Sequence, residues 1–555
     1  MHLSASPRRL GARARARLEH FRLRRGLGPD DAPAHAAARL RAFAAAAEAA
    51  AQADQAAARA ETAAAWRPLG PFAIPHGQTH GSGPRRRPAV AGRVTAVAVD
   101  PSDGAHLLVG TGGGGIWESR DGGRSWRPRS DGLPAPAVGA VAFDPGDPSV
   151  AYAGSGEGGF SAELGVGLLR SDDGGASWRL LAGGELTGAG FHDLAVLPGG
   201  RLLAATTSGL WESADGGGSW SRRLAGQVWD LSLAGAGGAG QDGELLAGCA
   251  AGLCRSGDGT AWTPVPLPAA PSGFERVAVC HTAGGGAWVF AAGDGVGHLW
   301  RRERAGGPFA AVKPPPELQS QQAWYAWFVA APEDPDVLLL GAVGLHRGTR
   351  GADGRWSWVD LAARPAGDVL PGDQHAVAFA PDDPAVVYVG DDGGLFRSPD
   401  GGRSWRALNA GLAIAETGHL AGHPEHDAWL LAGAGGLGTL RYEGGEVWFH
   451  VDDGDGGACA VDGTAPATCW HGFSGEGLAR SGSGGGWGTW EPAWPEVGPG
   501  GLDPPVAAGA GLVVHGDGSL AVSTDGGASF TGTSTPVEQL PSISDERATL
   551  ADQWW

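Results

Sequence analysis

The sequence is short of lysine and has no long apolar segment. Lys313 is its only lysine, so arginine carries nearly all the positive charge. No apolar run reaches the roughly 20 residues that a membrane-spanning helix needs, so no membrane span is predicted. The formal net charge of −19 disfavours duplex DNA as a partner of the main body.

Signals for secretion and for a disulfide framework are also missing. The basic start of the chain has no apolar core followed by a small-residue cleavage site, so we expect a cytoplasmic protein. The five cysteines form two close pairs, Cys249 with Cys254 and Cys459 with Cys469, and leave Cys280 over. The two cysteines of each pair could face each other across antiparallel strands, close enough for a disulfide. The odd number of cysteines instead favours reduced thiols.

What the sequence has in abundance is glycine, with 99 residues, and a recurring turn motif. The segment SRDGGRSW at Ser119–Trp126 returns with the same Ser-x-Asp-x-Gly-x-x-aromatic spacing. Its Ser and Asp can hydrogen-bond backbone N–H groups while glycine supplies positive φ, and the aromatic side chain folds back as an apolar plug. Each copy is therefore predicted to be a hairpin turn with a structural role.

Five copies keep the full spacing, and the segment starting at Ser256 is one residue short. The residues assigned to this structural role are Ser119, Asp121, Gly123, Trp126, Ser171, Asp173, Gly175, Trp178, Ser213, Asp215, Gly217, Trp220, Ser398, Asp400, Gly402, Trp405, Ser523, Asp525, Gly527 and Phe530.

These turns resemble those of the Asp-box, or bacterial neuraminidase repeat, family. The resemblance implies a β-propeller in which each box lies on the outer rim, between the third and fourth strands of a blade. Sialidases share the motif, but the chain lacks their Arg-Ile-Pro signature and has only four tyrosines, which disfavours that activity.

The spacing of the boxes sets a period of 39 to 52 residues, the size of one four-stranded blade. Repeat units in which the turn motif has diverged are predicted near Arg302, Gly348, Tyr442 and Ser481. They bring the number of predicted blades to ten. The predicted fold is an all-β propeller, as one ring of ten blades similar to sortilin-type receptors or, alternatively, as two smaller rings. The segment WRPLGPF at Trp66–Phe72 is predicted to be an extra outer strand that closes the ring.

The first 65 residues differ from the rest, since they are basic and then rich in alanine. Asp31 could cap and Pro33 could open a helix there. We expect a helical arm over residues 1–65, the propeller over 66–535 and a tail over 536–555. The arm is either a solvated or loosely docked extension, or a contact for an acidic partner or an anionic surface.

A wider resemblance links the chain to relatives of the xyloglucanase-type glycoside hydrolases. It rests on LGPF near Gly70, on Ala91–Pro101, on Gly372–Trp405 and on Asp452–Asp462. It implies the propeller fold over about residues 66–530. The two catalytic Asp residues of that family have no counterpart that can be placed here, so the activity is not carried over.

Ligands of propellers usually meet residues at the starts of the innermost strands, at one mouth of the central channel. Beginning with Arg93, these starts combine aromatic and polar side chains that could stack on a sugar or hold a peptide. The alternative is that they satisfy backbone groups at strand ends. The predicted binding residues are His192, Asp193, Trp229, Asp230, Trp324, Tyr325, Gln374, His375 and His419.

A glycoside hydrolase would need two carboxyl groups about 5–9.5 Å apart. Asp373 with Asp391 or Asp392 is the candidate pair, since one begins an inner strand and the others end its neighbour. Glu157 is a further acid near a turn. Asp453 and Asp455 in DDGDGG have the spacing of some calcium loops but lack the distant Glu of an EF-hand, so a metal site there is a weak candidate.

No phosphate-binding loop or nucleophile elbow is recognisable, so no cofactor is expected. The predicted function is a non-catalytic scaffold that binds a protein segment or a glycan at the channel mouth. The alternative is a glycoside hydrolase that uses a pair of carboxylates.

Overall fold

The computed structural model describes most of the chain. It covers residues 32–57, 67–78, 87–159, 164–181, 184–234, 243–319, 328–330, 334–361, 366–473, 477–494, 505–516 and 519–536. The basic segment 1–26 of the predicted arm lies outside these residues. The chain divides into two units, Met1–Glu416 and Thr417–Trp555.

Within these described ranges, the first unit contains one α-helix and seven β-sheets, named blades 1 to 7. Helix α1 spans Ala32–Ala57. The strands of blades 1 to 4 are β1 (Val94–Asp100), β2 (Asp103–Thr111), β3 (Ile116–Ser119), β4 (Arg127–Pro128), β5 (Val138–Asp144), β6 (Asp147–Ser155), β7 (Leu168–Ser171), β8 (Arg179–Leu180), β9 (Phe191–Leu197), β10 (Arg201–Thr206), β11 (Gly209–Ser213), β12 (Ser221–Ala225), β13 (Val228–Leu233), β14 (Leu245–Cys249), β15 (Gly252–Ser256) and β16 (Thr263–Pro264).

Blades 5 to 7 complete this unit. Their strands are β17 (Arg276–His281), β18 (Ala287–Gly293), β19 (Val296–Arg302), β20 (Ala310–Val312), β21 (Phe328–Ala330), β22 (Val337–Gly341), β23 (Leu345–Arg350), β24 (Trp356–Asp360), β25 (Ala366–Gly367), β26 (Gln374–Phe379), β27 (Val387–Asp391), β28 (Gly394–Ser398) and β29 (Ser404–Ala407). Each blade is an antiparallel meander of four strands, and β25 adds a short parallel strand to blade 7.

The second unit contains three further four-stranded sheets. Their strands are β30 (Thr417–Gly422), β31 (Leu430–Ala434), β32 (Gly438–Tyr442), β33 (Trp448–Asp452), β34 (Gly456–Val461), β35 (Cys469–Phe473), β36 (Leu478–Ser481), β37 (Glu491–Trp494), β38 (Val506–Gly509), β39 (Leu512–Gly516), β40 (Ser519–Ser523) and β41 (Thr531–Pro536). Within this unit β34 packs against both β30 and β38.

The first strand of each blade lies innermost, and its sequence explains this position. Strand β1, VTAVAVD, is short and rich in valine, and Pro101 ends it. Buried apolar clusters join each blade to the next, as where Phe191 of blade 3 packs with Ala140 and Tyr152 of blade 2. The inner strands approach closely, because a Cβ on Gly139 would lie 2.0 Å from the carbonyl oxygen of Phe191.

The ring of the first unit closes after seven blades. Strand β26 of blade 7 packs against β1, and Val386 and Tyr388 share an apolar cluster with Val94. The indole of Trp126 donates to the carbonyl oxygen of Leu408, which joins the rims of the same two blades at 2.7 Å. The all-β propeller class and the count of ten sheets are confirmed. Division into a seven-bladed ring and a three-sheet unit corrects the expected single ring of ten and is closer to the alternative of smaller rings.

The predicted closing strand near the start of the propeller does not form. Trp66 lies outside the described residues, and residues 67–72 have no strand structure. Instead Ile74 pairs with Val90 in an isolated bridge, and the carbonyl oxygen of Phe72 accepts the N–H of Gly411 at 3.0 Å. Packing of blade 7 on blade 1, rather than an added strand, therefore closes the ring.

Helix α1 docks on the first unit. Ala36 is fully buried, and Leu40 packs against the apolar cluster between blades 1 and 2. Nη1 of Arg39 donates to the carbonyl oxygen of Leu164 at 3.4 Å. Within the described ranges, no helix is both long and apolar enough to cross a membrane.

Candidate functional site

A cavity of about 310 Å³ lies in the central channel of the seven-bladed ring. The inner strands of its blades supply the walls, and their first residues surround one mouth. A volume near 300 Å³ is at the lower end of the range for small-ligand sites. Side chains at the mouth include Glu157, His192, Asp193, Trp229, Asp230, Arg276 and His375.

The start of β1 places a buried arginine between two carboxylates. Nη1 of Arg93 lies 3.2 Å from Oε2 of Glu157, while its Nε and Nη2 donate to the carboxylate of Glu416 at 3.1 and 3.2 Å. Burial alone would lower the pKa of Arg93, but Glu416, Glu157 and Asp392 together hold it above its usual value. The guanidinium is therefore a fixed positive charge that links blade 1 to the loop after β6 of blade 2.

The three candidate catalytic carboxylates occupy different environments. Asp391 is fully buried, and its Oδ1 accepts the N–H of Gly393 at 2.9 Å. Burial raises the pKa of Asp391 well above its usual value, which favours the protonated carboxyl. Asp392 accepts a hydrogen bond from Nε2 of His375 at 2.7 Å. Asp373 lies in the turn before β26 with a φ of 60°.

Asp193 and Asp230 connect neighbouring inner strands. Oδ2 of Asp193 on β9 accepts the N–H of Leu231 on β13 at 3.0 Å. Oδ2 of Asp230 in turn accepts the N–H of Val279 on β17 at 2.7 Å. Each carboxylate thus satisfies a backbone donor of the next blade, the alternative considered for these residues from the sequence.

Burial also makes these two carboxyl groups weaker acids than ordinary aspartates. It raises the pKa of Asp193 to about 6, against the opposing effect of its backbone N–H partners. For Asp230 burial and the neighbouring Asp193 raise the pKa well above its usual value. The two adjacent carboxyl groups consequently retain a proton at a pH where ordinary aspartates have lost theirs.

Further along the same strands, a group of residues that the sequence analysis missed repeats this linkage. Oγ of Ser232 accepts the backbone N–H of His281 at 2.9 Å and lies 2.9 Å from its Nδ1. Nε2 of His281 contacts Glu244 at 3.4 Å, and Arg302 binds the same carboxylate. Asp230 and Ser232 alternate on β13 and so share one face, a period-two signal that could have revealed them.

The remaining mouth residues surround this network. Nε2 of Gln227 donates to Nε2 of His192 at 3.0 Å, and burial together with Arg276 lowers the pKa of His192 to about 3. Burial also lowers the pKa of Arg276 to about 10, although Glu157 and Asp230 oppose this. His192 is therefore a neutral ring at physiological pH, and Trp229 beside it supplies a half-buried aromatic surface.

Not every predicted binding residue faces this cavity. Gln374 is fully buried and donates to the carbonyl oxygen of Pro371 at 2.7 Å. His419 lies on β30 in the second unit. Trp324 and Tyr325 lie outside the described residues.

The weak metal candidates lie in the second unit. Asp453 and Asp455 occupy the turn between β33 and β34, and Nε2 of His450 lies 3.5 Å from Oδ1 of Asp453. Among the residues that the structure describes, no group of three or more His, Cys, Asp or Glu side chains is arranged to hold a metal ion. All five cysteines are thiols rather than members of disulfides, with Sγ of Cys249 3.7 Å from Sγ of Cys254.

The recurring motif occupies the turn between the third and fourth strands of its blade. In blade 1 the N–H of Gly123 donates to Oγ of Ser119 at 2.8 Å, and Ser119 donates to Asp121 at 2.9 Å. Ser125 donates both its N–H and its Oγ–H to the same carboxylate, which lowers the pKa of Asp121 to about 2. Similar bonds occur in the turns that begin at Ser171, Ser213, Ser256, Ser398 and Ser523.

Comparison with known proteins places the fold but not the activity. No protein-family model and no curated protein matches the chain. Its structure is similar to the GH74 xyloglucanase from Xanthomonas campestris, at 19% identity and a TM-score of 0.50 over 84% of this chain and 81% of the enzyme. An ancestral GH74 enzyme matches at 15% identity and a TM-score of 0.51, over 85% of each chain. At these identities the likeness establishes a shared propeller architecture.

Proposed function

We propose that the channel mouth of the seven-bladed ring is a non-catalytic binding site for a protein segment or a glycan. The observation that supports this is that carboxylates at the mouth are already engaged in ion pairs or hydrogen bonds within the protein. Glu157 and Glu416 bind Arg93, and Asp392 binds His375. Asp193 and Asp230 hold backbone N–H groups of the next blade. These groups are committed to holding the mouth in shape, which suits recognition by a rigid surface better than acid–base chemistry.

Recognition would depend on Trp229, which remains partly exposed at the mouth, and on His375, which lines the same cavity. The ring of Trp229 offers a stacking surface for a sugar or an aromatic side chain. The imidazole of His375 lines the same cavity but is nearly buried, and Asp392 binds its Nε2 at 2.7 Å. Such a combination of an apolar face with few oriented polar groups is typical of ligand pockets.

The test is direct binding to xyloglucan oligosaccharides, cello-oligosaccharides and a random peptide library, measured by calorimetry on the hits. We expect Trp229→Ala and His375→Ala each to weaken the best hit at least tenfold while circular dichroism shows folded protein. Trp487→Ala, an exposed tryptophan of the second unit, is the matched control and should change nothing. Unchanged affinity in both mouth variants would reject the site.

The glycoside hydrolase alternative makes a different prediction for the same protein. If it holds, purified protein releases reducing sugar from a polysaccharide, and Asp373→Ala or Asp392→Asn abolishes the release. Absence of turnover across a broad glycan panel, with intact binding at the mouth, supports the scaffold instead. Asp391 is fully buried and its raised pKa disfavours the carboxylate, so it is a poor nucleophile in either case.

We further propose that the recurring turns make this chain an Asp-box propeller, with the boxes as structural elements of the rim. The basic segment 1–26 is proposed to bind an acidic partner or an anionic surface in the cytoplasm. Its deletion should then abolish binding to anionic vesicles of phosphatidylserine, and raised salt should weaken that binding in the intact protein. Salt-insensitive binding would contradict this proposal.

A further inference from the structure

A second cavity, of about 620 Å³, lies on the rim of the first unit between blades 5 and 6, away from the channel. It is lined by five basic side chains and one acidic one. These are Arg301, Arg304, Lys313, Arg350, Arg355 and Glu303. We call it the basic groove. Such an excess of positive charge stands out in a chain whose net charge is −19 and whose only lysine it contains.

Blade 6 lacks the recurring turn at the edge of the groove. Where the turn is present, its second glycine packs on the preceding blade, as Gly175 does on Leu108 and Gly402 on Leu361. Seven residues separate β3 from β4 in blade 1, whereas five separate β23 from β24 in blade 6. The shorter turn is closed by the N–H of Gly351, which donates to the carbonyl oxygen of Arg355 at 2.8 Å. Arg350 and Trp356, which flank this shorter turn, and Arg355 within it all line the groove.

Trp356, which lines the groove, and the buried Trp288 together hold one of its arginines. The guanidinium of Arg301 lies 5.4 Å from the ring of Trp288 and 5.3 Å from that of Trp356. The two indoles meet edge to face at 4.8 Å. The Arg301 side chain is only 7% exposed, so its planar fork is held in one orientation.

A carboxylate of the chain itself already lies among these cations. Oε1 of Glu303 is 3.2 Å from Nη1 of Arg301 and 3.2 Å from Nη1 of Arg350. Asp336 lies farther off, at 3.8 Å from each arginine, and Asp353 contacts Arg355. Since the Glu303 side chain is 59% exposed, its ion pairs are weak and open to exchange with another carboxylate.

We propose that the basic groove binds an acidic, aspartate- or glutamate-rich segment of a partner protein. Guanidinium groups bind carboxylates strongly, and Oε1 of Glu303 already lies 3.2 Å from two of them within the groove. A short acidic segment needs only this local positive patch. A long nucleic acid would also meet the negative charge of the surrounding surface, which disfavours it.

The test uses a fluorescein-labelled octaglutamate peptide and full-length protein, with anisotropy as the readout. We expect Arg350→Ala combined with Arg355→Ala to weaken binding at least tenfold. The matched control is Arg124→Ala combined with Arg127→Ala, two exposed arginines at the corresponding turn of blade 1, and should leave affinity unchanged. Raising salt from 50 to 300 mM should also weaken binding about tenfold or more.

Glu303→Gln separates recognition from a change in stability. Removing the internal competitor should strengthen octaglutamate binding severalfold, an effect in the opposite direction from that of a damaged fold. Equal affinity for octaglutamine, or no loss in the double arginine variant, would overturn the proposal. So would stronger binding of a heparin oligosaccharide or of inorganic phosphate than of the peptide. His375→Ala should not affect this site, which keeps its outcome distinct from that of the channel mouth.

Discussion

Aspartates of the outer rim and aspartates of the channel mouth behave in opposite ways, although the residue type is the same. Asp121 and Asp215 on the rim lie near solvent, and each accepts several hydrogen bonds, chiefly from serine hydroxyls. These bonds lower the pKa of each carboxyl to about 2. At the mouth burial is stronger than hydrogen bonding, and the pKa of Asp193 rises to about 6. The environment rather than the residue decides whether the carboxylate stabilises the fold as an anion.

The largest effect is expected where a buried cation holds the mouth together. Arg93→Met leaves Glu157 and Glu416 facing each other without their counter-charge, and we expect a loss of about 3–5 kcal/mol in the free energy of unfolding. Denaturant unfolding followed by circular dichroism measures it. Arg93→Met combined with Glu157→Gln should recover part of the loss. Full additivity of the two substitutions would indicate that the ion pairs do not couple.

A rim aspartate should matter less, and only when it belongs to the turn. Asp173 accepts bonds from Ser171 and from both donors of Ser177, so Asp173→Ala should cost about 1–2 kcal/mol. Its sequence neighbour Asp172 forms an exposed ion pair with Arg170 and is the matched control. Thermal unfolding of both variants compares them. An equal loss in each would show that the turn hydrogen bonds carry no particular stability.

The two classes of aspartate should also respond to pH with opposite signs. The folded pKa of Asp193 exceeds that of the unfolded chain, so the folded state binds more protons and stability falls as pH rises from about 4 through 6. The rim aspartates have lowered pKa values, so their contribution is present above about pH 4 and is lost as pH falls toward 2. Unfolding free energies measured from pH 2 to 8 test both limbs. Asp193→Asn should remove the decline in stability between about pH 4 and 6 and leave the decline toward pH 2 unchanged.

The smallest effect is expected for the control itself. Asp172→Ala removes exposed ion pairs with Arg170 and Arg179, and such pairs contribute at most about 1 kcal/mol. The same thermal unfolding experiment in 0.5 M salt should abolish even that difference, because exposed charges are screened. A larger loss of stability that persists in salt would indicate that Asp172 contributes to the structural turn.

The rim could be predicted from sequence because its interactions are local. The hydrogen bonds of a turn join residues within four positions of one another, so the motif itself specifies them. The period also predicts the positions of the units in which the motif has diverged. Their third strands β19, β32 and β36 end at the predicted residues Arg302, Tyr442 and Ser481. At Gly348 the third strand runs two residues farther, to Arg350.

The channel mouth was harder to predict because its contacts are distant in sequence. His192, Asp193, Trp229, Asp230 and His375 were identified as strand starts and do meet at one cavity. The pairing of Arg93 with Glu416 spans 323 positions, and no local pattern encodes it. Asp391 was a candidate catalyst by its place beside a turn, yet its side chain is buried away from water.

By itself the sequence determined the blade period, the turns and the count of ten sheets, because hairpins and their hydrogen bonds depend on neighbouring residues. Only the tertiary structure decided that seven blades close a ring, since closure depends on Val94 and Tyr388 packing across nearly 300 residues. It also decided which carboxyl groups are ionised. That property depends on burial and on charges brought together by folding, and it cannot be inferred from the residue type alone.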